Sequence, residues 1–331
     1  MNGEQTSATQ SFTELDEPSP QDFYSISKWQ AEQALRHIAQ ETGLEIVIVR
    51  PPLVYPLRVK RGIEGDFARV ASAANCNPPC PPFTKLAMAH GDAGSSTAGE
   101  FPKFTAFRDK DGMFEDVIVK FSGADNSAAV RRWADLLVCE HLALRVLESD
   151  LDIAAARSQI YQFAGRTFLE VVRFDRHGIS GRSAVCTLQS LNAALLGSSS
   201  SSWARVAGQM LKEKLISAET ARTSELLWWF GKLIGNSDMH DDNLAFRANM
   251  ELTPAYDMLP MFFAPAPGGE VPLREFKPLL PLPAERELWR EAAVAAIGYW
   301  LRCAKDGRVS ETFRKICIEC ANAVQRSAEQ I

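Results

Sequence analysis

One stretch of the chain, residues 235–257, constrains the fold more than any other. It reads G-N-S-D-M-H-D-D-N-L-A-F-R-A-N-M-E-L-T-P-A-Y-D, and it follows a helical segment, 220–234, that ends at Gly235. Within it, 244–246 and 252–255 are short runs separated by turn residues, which predicts a hairpin. A hairpin brings its two ends together, so the loop before it and the residues after it are expected to lie side by side.

The polar residues at the two ends of this hairpin suit a divalent cation. Asn243 lies at its start and Asp257 just after its end, and amide and carboxylate oxygens are the hard ligands that Mg²⁺ prefers. Asp238 precedes Asn243 in the D-x-x-x-x-N spacing of a kinase catalytic loop, where the Asp orients or deprotonates an acceptor hydroxyl. Taken alone, this spacing is better explained by turn and cap hydrogen bonds. Asp257 and the elements upstream favour phosphoryl transfer.

Two elements upstream are typical of a nucleoside triphosphate site. The loop Gly94-Ser95-Ser96-Thr97-Ala98-Gly99 leads through Lys103 into a strand, and the N–H groups of a glycine-rich turn can hold phosphate oxygens because no Cβ blocks the approach. Lys120 ends the strand V-I-V-K, from which it can reach the phosphates, and Glu140 on the next helix could hold it. Each feature alone is better explained as a flexible linker, a solvated lysine or a surface glutamate. Their order along the chain favours the nucleotide site.

The order of the predicted elements indicates an α+β protein with two lobes. The predicted strands are 104–107, 113–121, 159–164 and 167–174, and the predicted helices are 128–148, 203–215, 219–234, 284–303 and 309–328. A proline-rich stretch, 254–283, interrupts the helical half. We therefore expect a small sheet lobe followed by a helical lobe, with a ligand bound between them.

Composition argues against several other classes of protein. The 331 residues carry 36 Lys and Arg against 41 Asp and Glu, a net charge of −5, which disfavours direct binding to nucleic acid. No apolar run approaches the roughly 18 residues of a membrane span. Residues 1–10 lack the features of a secretory signal, so we expect a cytoplasmic protein whose seven cysteines are reduced. A zinc site built from Cys76, Cys80, Cys317 and Cys320 is disfavoured, because the first pair lies among prolines and the second on a helix.

Residues 90–330 resemble the HipA-like Ser/Thr kinases, which are relatives of the protein-kinase fold. The resemblance implies a bilobal kinase-like fold, with a sheet lobe at 90–176 and a helical lobe at 177–331. Six blocks in family order carry it: S-S-T-A-G-E-F-P-K-F (95–104), V-I-V-K-F (117–121), W-A-D-L-L-V-C-E-H-L-A-L (133–144), R-F-D-R (173–176), G-N-S-D-M-H-D-D-N-L-A-F (235–246) and L-T-P-A-Y-D (252–257).

The resemblance also implies roles for individual residues and a set of partners. Asp238 would be the catalytic base, Asn243 and Asp257 the Mg²⁺ ligands, and Ser96 a site of autophosphorylation. Members of the family phosphorylate protein substrates, aminoacyl-tRNA synthetases among them, and some are neutralised by a DNA-binding antitoxin. The residues expected to hold ATP are Ser95, Ser96, Thr97, Gly99, Lys103, Lys120, Glu140, Glu170 and Phe174, of which the last two would border the hinge that receives adenine.

The first 85 residues resemble a different family, the extended short-chain dehydrogenases of the nucleotide-sugar epimerase type. Tyr24 and Lys28 stand in that family's Tyr-x-x-x-Lys spacing, followed by a predicted helix to Thr42 and a buried strand at 44–49. The glycine-rich phosphate turn and the βαβ units that such enzymes need do not precede Tyr24. We interpret residues 1–85 as a truncated α/β fragment that does not bind NAD and whose Tyr24 and Lys28 are chemically silent.

Two classes of function stay open on the sequence alone. The first is an ATP- and Mg²⁺-dependent protein Ser/Thr kinase of a toxin-antitoxin system. The alternative is a catalytically inactive nucleotide-binding or interaction protein, because the family's usual first subdomain is missing and the edge of the sheet would then be uncovered. Binding of Mg·ATP without phosphoryl transfer would favour the second class.

Overall fold

The computed structural model describes residues 102–110, 113–178, 181–198 and 202–331, together with Gln33. Apart from Gln33, the first 101 residues lie outside the described ranges, and so do the predictions made for them, including the Tyr24/Lys28 pair. The described residues from 102 onward belong to one compact unit. Their mixed α+β class is the one predicted from the sequence, which is thereby confirmed.

Most strands come first and most helices second, as expected. The strands are β1 (Lys103–Lys110), β2 (Met113–Phe121), β3 (Ser158–Phe163), β4 (Arg166–Val172), β5 (Arg176–His177), β6 (Gly181–Arg182), β7 (Val185–Thr187) and β8 (Ala245–Arg247). The helices are α1 (Ala128–Asp150), α2 (Leu188–Leu191), α3 (Trp203–Lys212), α4 (Ala218–Leu233), α5 (Arg286–Lys305) and α6 (Glu311–Gln330), with a π-helical turn (Asn192–Leu196) and three 3-10 turns (Asp241–Asn243, Met261–Phe263, Pro283–Glu285). The division into lobes at residue 176 stays a prediction.

The main sheet places a row of side chains against α1. Its antiparallel strands run in the order β1-β2-β4-β3. Lys103 lies opposite Lys120, which lies opposite Leu169, and directly opposed residues point to the same face. Leu169 and Val171 pack against Leu137 of α1. The face that carries both lysines is therefore the one turned towards α1.

The opposite face of the sheet is also buried. Phe104, Val119, Phe121 and Phe168 form a separate apolar cluster there. The ring centroids of Phe104 and Phe121 are 5.8 Å apart, and those of Phe121 and Phe168 are 6.1 Å apart. Because β4 is buried on both faces, its sequence shows no alternation of polar and apolar residues.

Three of the described helices begin at serine caps, and the helices pack around one large core. Ser127, Ser217 and Ser310 each accept a hydrogen bond from the backbone N–H three residues later, at the starts of α1, α4 and α6. Trp229 is buried in this core and Trp228 packs at its margin. The largest fully buried side chains of the helical core include Trp203, Trp289, Tyr299, Trp300 and Phe313.

The predicted hairpin after α4 is confirmed, with one addition. Gly235 follows the helix at φ 73°, the left-handed region that glycine tolerates best. The Arg247 N–H donates to the Glu251 carbonyl at 2.8 Å, and the Thr253 N–H donates to Ala245 at 2.9 Å. The first arm, β8, also pairs with β7, which the sequence did not predict because a three-residue strand is too short to show a period.

Neither a metal cluster nor a membrane helix is found in the part of the chain that the structure describes. No group of three His, Cys, Asp or Glu side chains there could hold a metal ion. Cys317 and Cys320 are buried on α6. None of the described helices is at once long enough and apolar enough to cross a bilayer.

Candidate functional site

Three charged side chains from distant parts of the chain meet beside the main sheet. Lys120 on β2 donates from Nζ to Glu140 on α1, at 2.7 Å to Oε1 and 2.9 Å to Oε2. The same ammonium donates to Oδ1 of Asp257, 137 residues further along the chain. The contact between Lys120 and Glu140 that the sequence predicted is therefore present, and Asp257 joins it.

Burial and the charges of the neighbouring groups shift the pKa values of all three side chains in this cluster. Lys120 is 8% exposed and Glu140 1%, and burial raises the pKa of Glu140 to about 7 despite the opposing charge of Lys120. Burial alone would lower the pKa of Lys120, but Asp257 and Glu140 outweigh it and the pKa is raised. Burial likewise opposes ionisation of Asp257, yet the charge and hydrogen bond of Lys120 keep its pKa below the usual value. Lys120 and Asp257 are therefore both charged at neutral pH.

A second lysine lies on the same face of the sheet. Lys103 is directly opposite Lys120 in the pairing of β1 with β2, and it is exposed. Its positive charge helps to lower the pKa of both Glu140 and Asp257. Two cationic side chains on one face suit an anionic ligand such as a polyphosphate.

The loop that follows α4 is shaped by two buried amides. Asn236 accepts the N–H of Asp238 at 3.0 Å, and Asn243 donates from Nδ2 to the Asp238 carbonyl at 2.9 Å. Because its amide nitrogen makes this bond, the oxygen of Asn243 is the atom that can bind a cation. The side chain of Asp238 is 55% exposed, so its carboxylate can meet an incoming group.

The same loop is tied to Asp257. Nδ2 of Asn236, a residue only 2% exposed, donates to the Asp257 carbonyl at 3.3 Å. Asp257 adopts φ 54°, a left-handed conformation that costs free energy for most residues and that Asp tolerates better than most. Its backbone is thus held by Asn236 while its carboxylate is held by Lys120. The buried amide of Asn236 therefore connects the two segments that carry the predicted Mg²⁺ ligands.

His240 orders the loop mainly through its backbone. Its carbonyl accepts the N–H of Asn243 at 3.0 Å and the indole N–H of Trp203 at 3.3 Å. Its Nε2 lies 3.9 Å from Oδ1 of Asp238, beyond a hydrogen bond. The hydrogen bonds that His240 makes within this loop and to Trp203 are therefore those of its carbonyl.

The side chain of Glu170, which the sequence places at the hinge for adenine, lies on the far face of the main sheet. On β4 it lies opposite Val119, so its side chain points to the face away from Lys120. There it is 2% exposed and forms an ion pair with Arg108. The face that carries Lys120 is the face of Leu169, so the Glu170 carboxylate does not point towards Lys120, and the place of Glu170 at the hinge stays a prediction.

The predicted nucleotide contacts of Phe174 and of the glycine-rich loop are a separate matter from that of Glu170. Phe174 lies just beyond the end of β4, and its ring centroid is 5.7 Å from that of Tyr256, the residue before Asp257. Its proposed contact with adenine stays a prediction. The predicted phosphate loop lies outside the described residues, so the roles of its members also stay predictions: Ser95, Ser96, Thr97 and Gly99.

Two residues of the site were not singled out from the sequence, Asn236 and Tyr256. The hydroxyl of Tyr256 donates to the carbonyl of Asp242 at 2.7 Å. Each residue lies within two positions of a predicted functional residue, Asp238 or Asp257, which is the only signal the sequence offers. Their hydrogen bonds span 21 and 14 residues and could not be inferred from local spacing.

The arrangement has the parts that phosphoryl transfer requires. Mg²⁺ in such sites usually takes one or two protein oxygens and completes its shell with phosphate and water. The amide oxygen of Asn243 and the carboxylate of Asp257 fit this requirement. Lys120 and Lys103 can neutralise phosphates, and Asp238 can receive or orient an acceptor hydroxyl.

Comparison with known sequences gives two matches along the chain. Residues 95–328 match the HipA-like C-terminal domain family, and residues 2–72 match an NAD-binding family described as male sterility protein. Toxin YjjJ of Escherichia coli (strain K12) is 34% identical over 249 residues, 74% of this chain and 56% of that protein. UDP-glucose 4-epimerase of Vibrio cholerae is 33% identical over 81 residues, 24% of each chain. The chain thus spans about half and about a quarter of the length of these relatives.

Two solved structures are similar. One is HipA of the Shewanella oneidensis MR-1 toxin-antitoxin system, in complex with HipB and its operator DNA, at 18% identity and a TM-score of 0.47, covering 90% of this chain and 82% of that chain. The other is the Helicobacter pylori proinflammatory kinase CtkA, at 10% identity and a TM-score of 0.45, covering 68% and 93%.

Both resemblances read from the sequence are confirmed by these matches. The N-terminal similarity to nucleotide-sugar epimerases is limited to 81 residues and covers a quarter of the relative. The C-terminal match extends over most of the chain and includes every described residue of the charged cluster and the loop. On this match and on its identity to the Escherichia coli toxin, the chain belongs to the HipA-like C-terminal domain family.

Proposed function

We propose that this chain is a protein kinase that transfers the γ-phosphoryl group of ATP, with Mg²⁺, to a Ser or Thr hydroxyl. The observation that carries the proposal is the contact of Lys120 with both Glu140 and Asp257. It brings a cation suited to phosphate next to a carboxylate suited to Mg²⁺, from positions 137 residues apart. Membership of the HipA-like family supports a kinase-type enzyme.

Each described residue of the site has a role in this reaction. Lys120, held by Glu140, binds the phosphates of ATP. Asn243 and Asp257 bind Mg²⁺, which neutralises charge on the transferring group. Asp238 orients the acceptor hydroxyl or takes its proton. Positioning and charge neutralisation account for most of the rate in such a reaction, and no covalent enzyme intermediate is needed.

The partners belong to the same proposal. The Escherichia coli relative is named a toxin, which supports a place for this chain in a toxin-antitoxin system. We propose a protein substrate, with aminoacyl-tRNA synthetases as the first class to test, and a DNA-binding antitoxin that neutralises the chain.

Labelling with ATP tests the reaction. The full chain is incubated with γ-labelled ATP, Mg²⁺ and cell extract, and protein labelling is measured. We expect Asp238→Asn and Asp257→Ala to lower labelling by roughly 100-fold or more, because they remove the base or a metal ligand. Asp152→Ala is a matched control, since Asp152 is exposed and has a similar left-handed φ of 53°. Equal labelling by wild type and both site variants would contradict the assigned roles.

A binding measurement separates the kinase from an inactive nucleotide-binding protein. Calorimetric titration of the same proteins with ATP and Mg²⁺ reports binding without requiring transfer. Wild-type protein that binds Mg·ATP but labels no protein, itself included, would favour the inactive alternative. Binding together with labelling supports the kinase.

A further inference from the structure

One side chain connects the two segments that carry the predicted Mg²⁺ ligands. Tyr256 immediately precedes Asp257, and its hydroxyl donates to the carbonyl of Asp242 at 2.7 Å. That carbonyl belongs to the peptide bond that leads into Asn243. Tyr256, the neighbour of Asp257 in the chain, thus makes a hydrogen bond to the peptide group that precedes Asn243.

This peptide is held at both edges. Its oxygen accepts the Tyr256 hydroxyl, and its N–H, from Asn243, donates to the His240 carbonyl at 3.0 Å. The orientation of the peptide plane fixes the direction of the N–Cα bond of Asn243, from which its side chain departs. The bond from its Nδ2 to the Asp238 carbonyl at 2.9 Å then turns its oxygen to the remaining side.

The ring of Tyr256 is itself fixed. It lies 5.7 Å, centroid to centroid, from Phe174 at the end of β4, and it packs against the cluster that contains Leu137, Leu169 and Val171. The hydroxyl is therefore presented from a packed ring rather than from a mobile side chain. Replacing Tyr256 by Phe would keep this packing and remove only the hydrogen bond.

We propose that Tyr256 is a positioning residue that sets the separation of Asn243 and Asp257 for a shared Mg²⁺. This inference rests on the proposed function. Without the hydroxyl, Asn236 still ties the loop to Asp257, so the fold is kept. The peptide before Asn243 then loses one of its two restraints, and part of the metal binding energy goes into ordering it.

Mg²⁺ titration of nucleotide binding tests the proposal without relying on activity. A fluorescent ATP analogue is bound to the full chain, first with a chelator and then with increasing Mg²⁺. For Tyr256→Phe we expect the Mg²⁺ midpoint to rise roughly 3- to 10-fold, the effect of one net hydrogen bond, with metal-free affinity changed by less than about twofold. Tyr161→Phe, a partly buried tyrosine on the opposite face of the sheet, should leave both quantities unchanged.

The outcomes separate the inference from the proposed function. A Tyr256→Phe protein with the wild-type Mg²⁺ midpoint overturns the inference alone. Equal losses of metal-free and metal-dependent affinity, or a failure of this variant to fold, assign Tyr256 a structural role and also overturn it. Wild-type protein that binds no nucleotide in a Mg²⁺-dependent way overturns the proposed function together with the inference.

Discussion

Lys120 is a buried lysine in hydrogen-bond contact with two carboxylates, an arrangement that seldom arises for stability alone. Removing charges from water costs several kcal/mol per ion, and an apolar side chain of similar size often serves a core as well or better. The cost is offset here by Glu140 and Asp257, whose positions are fixed by α1 and by the bond from Asn236. A buried lysine held by two carboxylates is typical of a functional site that binds a charged ligand.

Removing the ammonium group of Lys120 should destabilise the protein, because the two carboxylates then have no counter-ion. In Lys120→Met, Glu140 and Asp257 face one another without a counter-ion, so we expect the free energy of unfolding at pH 8 to fall by about 3 kcal/mol. Because burial holds the pKa of Glu140 above its unfolded value, the folded variant takes up a proton as the pH is lowered. The loss in the free energy of unfolding caused by Lys120→Met should therefore be smaller at pH 5.5 than at pH 8. Urea unfolding at the two pH values measures it.

A second variant provides the control for this result. In Lys120→Met combined with Glu140→Leu, the buried carboxylate is removed together with its partner, so more than half of the lost stability should return. Equal losses at pH 5.5 and pH 8, or no recovery in the double variant, would show that the cluster is not the ionic unit described here.

At the scale of elements, α1 joins the site to the helical core. Glu140 on its buried side holds Lys120, while Asp135, about a turn and a half earlier, accepts hydrogen bonds from the N–H and hydroxyl of Ser310, both at 2.6 Å. Ser310 is the cap of α6, so the helix that supports the site also anchors the last helix of the chain. Arg132 adds a bond from Nη1 to the Phe263 carbonyl at 3.0 Å.

The junction of α1 and α6 should make stability depend on pH. Asp135 is 3% exposed, and burial raises its pKa to about 6, above the unfolded value. The folded protein therefore binds this proton more tightly, and the resulting stability is present near pH 4 and lost as the pH rises through about 6. Asp135→Asn lacks this titration. Between pH 4 and pH 7 the stability of wild type should fall by about 2 to 3 kcal/mol relative to this variant.

Parallel pH profiles would contradict this account of Asp135. Thermal or urea unfolding of wild type and Asp135→Asn at several pH values between 4 and 7 provides the comparison. Asp152→Asn, at an exposed position, is the control and should follow wild type at every pH.

The sequence predicted the long helices and the strands of the main sheet well and missed the short strands. A period of 3.6 residues located α1 and α3 to α6 to within a few residues of their ends. The sequence analysis did not predict the pairing of β7 with β8, because a strand of three residues is too short to show a hydrophobic periodicity. Because β4 is buried on both faces, its sequence also did not reveal that the Glu170 side chain points away from Lys120.

For the whole molecule, the sequence predicted the contact of Lys120 with Glu140 and the approach of Asp257 to the loop, through motif order. The order of the motifs does not predict the hydrogen bonds between the loop and the segment of Asp257. The roles of Asn236 and Tyr256 in these bonds were therefore found only in the structure. The family match covers residues 95–328, and the epimerase-like match covers residues 2–72. The chemistry proposed here draws only on the first of these two parts.

The most direct measurement is a crystal structure of the full chain with a non-hydrolysable ATP analogue and Mn²⁺ in place of Mg²⁺, located by its anomalous signal. The account predicts a manganese peak bonded to the amide oxygen of Asn243 and the carboxylate of Asp257, with Lys120 on the phosphates and Asp238 facing the γ-phosphoryl group. A nucleotide and metal bound away from these four side chains would contradict it.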